Sequence, residues 1–413
     1  MQPETRTKTA TRNTSATTAA KAKAVTRAPW PDDLDQRVRN ALALPDIATL
    51  PSVPYDIVII GAGVAGLNAA LGARSAGARV LVLEAATTIG TGATGRNAGI
   101  LSAGINMGLA DVPEGDPDAE MWPATTRELL SLVEQARQPD ALLIASLTGA
   151  LSLAENRTAA RHLAQEARAR VNAGLRAEMW SPDQVAEATA GRLNTSTLVE
   201  ALWLPDEGRI QPLTLLAHLA QKARAAGITL AGNARVAAWE HTNAKSTKRT
   251  NARWRFSLAN GATIEAPGLL LAVGPTAQPT GRLYALAFRA NLPDTFPLFW
   301  DSAPYTYCDF RPGHGRLTVS GGRYGKPGAA QRDYVYHRRL ANAARHWLPE
   351  LASKEPTYTW AVDIAVTSDM LPRARRLDGH APGYSIEGLG ALGVLPGTVL
   401  GRRAGEQLAR ELA

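Results

Sequence analysis

The sequence predicts an α/β protein: a Rossmann-type nucleotide-binding domain interleaved with a second, α+β domain built on an antiparallel sheet. Two observations lead there. Asp56-Ile-Val-Ile-Ile60 reads as a buried strand, Gly61 to Gly77 as a glycine turn and helix, and Arg79-Val-Leu-Val-Leu-Glu84 as a second buried strand. Together they make a βαβ unit with a right-handed crossover. Strand signals then recur far along the chain, at 228–240, 253–273 and 297–319, too many for one nucleotide-binding sheet.

With 413 residues the chain is long enough for two domains. The expected division is a basic tail and lead-in helix at 1–50 and a discontinuous cofactor domain at 51–140, 195–275 and 360–413. The substrate domain then takes 141–194 and 276–359. Residues 1–28 are rich in Thr, Ala, Lys and Arg and nearly free of acids, a composition that favours disorder and also resembles an organelle transit peptide. The expected location is therefore the cytoplasm, or an organelle if the tail is a targeting peptide.

The elements follow in order. A short helix at Leu34–Leu44 leads to the prolines at 51 and 54. The stretch 123–190 reads as helical, from apolar spacings such as Leu129, Leu132 and Val133. Leu198–Leu204 reads as a strand, and Pro212–Ala226 as a helix stopped by Gly227. A helix from about Gly397 to Leu412 closes the chain.

Composition narrows the function. A net charge of +8 arises partly in the tail, and no zinc finger, helix-turn-helix or RNA-binding motif accompanies it, so no nucleic-acid partner is expected. No run approaches the roughly 18 apolar residues of a membrane span. The single cysteine, Cys308, rules out an internal disulfide, and the seven histidines form no ligand-spaced cluster, so no metal is expected.

The chemistry starts at Gly61-Ala-Gly63-Val64-Ala65-Gly66. Gly61 allows the turn, Gly63 lets backbone approach a pyrophosphate, and Gly66 allows close helix–strand packing. Phosphates then sit at the positive end of the helix. Glu84, followed by Ala85, ends the next strand, where an acid accepts from ribose hydroxyls and disfavours a 2′-phosphate. This motif alone leaves FAD and NAD both open. The loop Gly92-Ala-Thr94-Gly95-Arg96-Asn97-Ala98-Gly99 favours a second large ring system, because its backbone is glycine-rich and Arg96 is a bidentate donor.

In these features the chain resembles the D-amino-acid oxidase and glycine oxidase superfamily of FAD-dependent oxidoreductases. The likeness is greatest to the γ-glutamylputrescine oxidoreductase branch, where a Gly-Ala-Ser-Gly-Arg-Asn-Gly-Gly loop follows the ribose-binding acid. Further matching segments are Pro205-Asp-Glu-Gly208-Arg-Ile-Gln-Pro212, Arg235-Val236, Ile264 through Gly274, and Gly388-Leu-Gly390-Ala-Leu392-Gly393-Val394. The resemblance implies that Val236 meets the adenine and that Gly274 lies at the cofactor. It also implies that the Gly388–Val394 turn places a helix start at the flavin pyrimidine. Cys308 lies far from the family's covalent attachment position, so non-covalent FAD is expected.

The substrate side departs from the amino-acid oxidases. No arginine precedes Pro372 where they grip the substrate carboxylate, and Trp360 through Pro372 takes the form of the amine-oxidising branch. Leu392 stands where His or Asn is common, and Arg373-Ala374 replaces Ile-Gly. Tyr305, Tyr307 and Asp309 alternate along a strand and are candidates to line the substrate pocket. Arg311 and Arg323 remain either carboxylate ligands or exposed structural arginines. The expected activity is oxidation of an amine or N-substituted amino acid by hydride transfer to flavin, with O2 or an electron-transfer partner as acceptor. The catalytic residues stay unassigned. A flavin-binding subunit without its own turnover and an NAD-dependent dehydrogenase are the alternatives.

Overall fold

The computed structural model describes residues 24–50, 53–242, 253–274, 279–301, 307–377 and 381–413. Two large sheets organise them. The first has six strands in the order Arg373–Arg376, Gly383–Glu387, Gly268–Leu271, Ile57–Ile60, Val80–Leu83, Thr229–Ala231. All neighbours are parallel except the outer pair Arg373–Arg376 and Gly383–Glu387. The central strands are buried on both faces, which is why they read as unbroken apolar runs.

Ile57, Ile59, Val80 and Val82 face the helices Val64–Ser75, Pro212–Ala225 and Val394–Leu412. Val58, Ile60, Leu81 and Leu83 face a small antiparallel sheet through Trp254, Phe256 and Leu258. The helix Pro212–Ala225 begins as its sequence dictates: Pro212 occupies the first turn and the Gln211 side chain accepts from Leu213 and Thr214.

The second sheet has eight strands: Tyr358–Ile364, Gly281–Arg289, Arg316–Gly325, Cys308–Gly313, Leu298–Asp301, Ala150–Ala154, Glu200–Leu204, Glu178–Trp180. It is antiparallel except where Leu298–Asp301 runs parallel to Ala150–Ala154. One face, with Tyr284, Leu286, Phe288, Phe299, Phe310 and Val319, is covered by the helix Asp333–Trp347. The opposite face, with Ala285, Ala287, Trp360, Val362 and Ile364, packs into the core of the nucleotide-binding half. Glu200–Leu204 and Tyr358–Ile364 hydrogen-bond into this larger sheet, although the sequence grouped most of both with the cofactor domain.

Three expectations are corrected. The stretch 123–190 is not continuously helical: strands at Ala145–Leu147, Ala150–Ala154 and Glu178–Trp180 separate its helices. Ala150–Ala154 is buried at every position, and such a run shows no period that separates strand from helix. The stretch 228–240 is two strands of different sheets, parted by a turn in which Asn233 has φ +51°. The strand containing Asp309 starts at Cys308, so Tyr307 lies outside it with φ +39°. Tyr305 and the tail before residue 24 lie outside the described residues. Among the described residues no helix is long and apolar enough to cross a membrane.

Candidate cofactor and substrate site

The glycine turn is held from both sides. Gly61 has φ +101°, and a Cβ there would lie 2.5 Å from the Ala272 carbonyl oxygen; at Gly66 it would lie 1.9 Å from that of Gly61. Only glycine fits either position. Gly63 caps the helix without a side chain, and the Val64 amide donates to Thr94 Oγ1 at 3.3 Å. The amides of Ala65 and Gly66 meet no acceptor among the described residues. An uncapped helix start at a side-chain-free turn fits a pyrophosphate.

Glu84 closes the next strand. Its two oxygens accept from the amides of Ala62 and Ala86, each at 3.1 Å. A carboxylate accepts about four hydrogen bonds, so capacity remains for ribose hydroxyls. Ala85 is exposed beside it. The Ala234 amide donates to the Glu84 carbonyl at 2.9 Å, which brings Val236 close to this strand end. Gly274, with φ +73°, follows the strand against which Gly61 packs.

The second glycine loop is pinned by large side chains from distant parts of the chain. Trp30 donates from its indole to the Asn97 carbonyl at 2.9 Å, and Trp360 donates to that of Arg96 at 2.8 Å. Arg311 donates to the Gly99 carbonyl at 3.2 Å and to that of Ile210 at 3.1 Å, with its guanidinium 4.9 Å from the Trp30 ring centre. Within the loop, the Asn97 side chain donates to the Thr94 carbonyl and accepts from the Gly99 amide. Gly95 packs against Gly90, Gly92 and Arg96 are exposed, and Ala98 is half-buried. The backbone of this loop is thus fixed while its outer face stays open.

The C-terminal turn is braced by a residue that the sequence reading missed. Asn106 Oδ1 accepts from the amides of Ala391 and Leu392, at 3.0 and 3.2 Å, while its Nδ2 donates to the carbonyls of Gly388 and Leu389. A lone asparagine in a loop gives no signal in one sequence. Glu207 supports the same segment: it accepts from the Ala103 amide and pairs with Arg170 at 3.1 Å, and Arg170 pairs with Glu166 at 2.7 Å. Burial raises the Glu207 pKa, and the Arg170 charge opposes that rise.

Gly393 starts the helix Val394–Leu412 with no side-chain cap. This helix lies against Val64–Ser75 through a stripe of glycines. A Cβ at Gly401 would come 2.3 Å from the Ala65 carbonyl oxygen, and one at Gly405 would come 2.0 Å from that of Ala69. Since 401 meets 65 and 405 meets 69, the helices run in the same direction. Their positive ends therefore lie on the same side, one at each glycine turn.

The substrate candidates fare differently. Arg311 is 1% exposed, so it is neither an exposed arginine nor one available to a carboxylate. Burial without a contacting carboxylate lowers its pKa. Arg323 is exposed, beyond the paired glycines 321 and 322, both at positive φ. Tyr307 is exposed, and its carbonyl accepts from the Gly322 amide at 2.8 Å. Its backbone turn breaks the expected alternation with Asp309. Arg373, which stands where the resembling family carries Ile, is exposed and pairs with Asp369 at 2.6 Å. Cys308 points into the core on the far face of the large sheet.

Comparison with known proteins agrees with this arrangement. Solved structures with the same fold include glycine oxidase from Geobacillus kaustophilus, 20% identical, covering 88% of this chain and 96% of that one with a TM-score of 0.70. They also include L-proline dehydrogenase from P. horikoshii, 18% identical, covering 89% and 95% with a TM-score of 0.69. Iminodiacetate oxidase from Chelativorans sp. BNC1 is 20% identical and covers 84% and 94%, with a TM-score of 0.65. No curated protein matches at the level of sequence. Residues 56–407 match the FAD dependent oxidoreductase family, DAO, so the chain belongs to that family and is an FAD-dependent oxidoreductase.

Proposed function

We propose that this oxidoreductase acts on the C–N bond of an amine or N-substituted amino acid, in the manner of the γ-glutamylputrescine oxidoreductase branch, with FAD held non-covalently. The observation that carries this reading is the commitment of Arg311. It is the arginine on the sheet face beside the flavin loop, and it is consumed in holding Gly99 and Ile210 under Trp30. A site without that arginine free favours a substrate recognised through nitrogen over one gripped by its α-carboxylate.

The residues that would hold FAD are those of the two glycine turns, Glu84, and the pinned loop at Thr94–Gly99. Bound there, FAD supplies a two-electron acceptor. The protein's part is alignment: a fixed loop backbone on one side and an uncapped helix start at Gly393–Val394 on the other, where amides favour negative charge. Non-covalent attachment is supported by the burial of Cys308 on the opposite face of the sheet. The acceptor that reoxidises the flavin is O2 or an electron-transfer partner, and the proposed location is the cytoplasm.

The test is anaerobic titration of the purified flavoprotein with alkylamines, N-methylated amines and α-amino acids, followed at the flavin band. Bleaching by amines at lower concentrations than by α-amino acids is the expected result. A flavin that is retained yet reduced by no amine would identify a binding subunit without turnover. Acid precipitation should leave the yellow colour in the supernatant.

A further inference from the structure

The face of the large sheet that meets the flavin loop contains one carboxylate that the reading above does not use. In antiparallel register Asp309 stands opposite Ser320, Ser320 opposite Ala285, and Ala285 opposite Trp360. The next row is Arg311, Thr318, Ala287, Tyr358. Residues in one row, and residues two apart on a strand, share a face. Trp360 ends one row on the Arg96 carbonyl, and Arg311 ends the other on that of Gly99. Asp309 is therefore on the same face, about 7 Å along the strand from Arg311. It belongs to the surface that overlies the loop from Arg96 to Gly99.

The surroundings preserve room for this side chain. Gly321 and Gly322, both at positive φ, interrupt the neighbouring strand where its register against Gly281–Arg289 shifts. A Cβ at Gly321 would lie 2.9 Å from Asp309 Oδ2. Bulges of this kind re-aim side chains beside active sites. Phe310 and Cys308 go to the opposite face and its apolar core, which leaves Asp309 half-buried on the cofactor side.

We propose that Asp309 is the carboxylate that receives the substrate's nitrogen, and that the substrate is a cationic alkylamine. This rests on the amine reading above and narrows it. A half-buried carboxylate binds an ammonium by a charge-assisted hydrogen bond. It can also take one N–H proton: the N–H bond breaks, an O–H bond forms, and the electron pair stays on nitrogen, giving the neutral amine that oxidation requires. The surroundings suit the exchange. Burial first, and the nearby Asp301 charge second, push the Asp309 pKa up to about 7, while an interaction with the Ser320 hydroxyl lowers it. Among the described residues, the other ionisable groups around it are Tyr324 on the adjacent strand and, at nearby positions of its own segment, Tyr307, Cys308 and Arg311.

The experiment compares the wild-type flavoprotein with Asp309→Asn and Asp309→Glu. Benzylamine, N-methylbenzylamine and 1,4-diaminobutane serve as reductants, and α,α-dimethylbenzylamine, which has no oxidisable C–H, serves as a pure binding probe read by the shift of the flavin spectrum. Asp309→Asn should keep its flavin, weaken probe binding at least about 30-fold, and raise KM more than it lowers kcat. Asp309→Glu should restore part of the affinity. Wild-type probe binding should strengthen as pH rises through about 7, and Asp309→Asn should lose that limb. If amines reduce the wild type while Asp309→Asn binds the probe equally well, the inference is overturned and the amine reading stands. If no amine reduces the wild type, the amine reading itself fails. Should Asp309→Asn lose flavin, the wild-type pH limb decides: its absence overturns the proposal.

Discussion

The indole of Trp360 donates a 2.8 Å hydrogen bond to the carbonyl of Arg96, so the edge strand of the large sheet holds the backbone of the second glycine loop directly. Trp360 is 4% exposed, and losing the donor would leave a carbonyl without its partner at a largely dry position. Trp360→Phe removes the donor and keeps most of the bulk. The expected cost is about 1–2 kcal/mol, seen as an FAD dissociation constant about tenfold weaker by fluorescence titration. An unchanged constant would mean that the loop is held without this bond.

Asn106 braces the C-terminal turn with four hydrogen bonds from one amide side chain. Asn106→Ala is expected to loosen the turn and weaken FAD binding by about 1–3 kcal/mol, with a smaller change in the melting temperature of the FAD-free chain. Asn106→Asp is the sharper comparison, because it keeps the acceptor for the Ala391 and Leu392 amides but loses the donors. It should recover part of the affinity in the same titration.

The contact between the first and last helices of the nucleotide-binding half leaves no room at its glycines. Gly405→Ala would place a Cβ 2.0 Å from the Ala69 carbonyl oxygen, so backbone must move. Gly397→Ala meets no backbone, only side-chain atoms, the nearest being those of Val64 at 3.2 Å and Leu389 at 3.4 Å. Alanine favours a helix over glycine by about 1 kcal/mol, so the mild site should be nearly neutral. Gly405→Ala should destabilise by about 1–3 kcal/mol. Thermal melts of both variants distinguish them, and equal melting temperatures would contradict the packing.

Asp309 also predicts a stability trend. Its folded-state pKa of about 7 lies above its ordinary value of 3.8, because burial favours the neutral acid. Between those values the folded chain holds a proton that the unfolded chain has released. The stability due to this group is therefore full below about pH 4 and is lost as pH rises through about 7. Asp309→Asn has no such dependence. The stability of wild type minus that of Asp309→Asn should fall by a few kcal/mol (on the order of 2–4) between pH 4 and pH 8 in urea unfolding. A constant difference would contradict the raised pKa.

Much of the nucleotide-binding half was legible because its signals are local. Gly61, Gly63, Gly66 and Glu84 lie within one βαβ unit, and each has a steric or electrostatic duty that its neighbours reveal. The large sheet was only partly legible. Ala150–Ala154 pairs with Leu298–Asp301 across well over a hundred residues, and no periodicity announces such a partner. Arg311 shows the same limit in the site: its strand was visible, but the two carbonyls and the indole that occupy it come from elsewhere in the chain. Tyr307 was misjudged because alternation in sequence cannot reveal a backbone at positive φ one residue before a strand.

The segment before the Rossmann strand has one more effect. Val25 pairs with Thr357 and Thr359 at the edge of the large sheet, and Trp30 lies beneath Asn97 against Arg311. The nucleotide turn is local in sequence, yet the segment that seals the second glycine loop must wait for Arg311 and Thr357, roughly three hundred positions later. The second helix start arrives with the last twenty residues. Contacts this distant form slowly. The residues proposed to hold FAD therefore come together only after segments far apart in sequence have packed, so tight capture of the cofactor is expected late in folding.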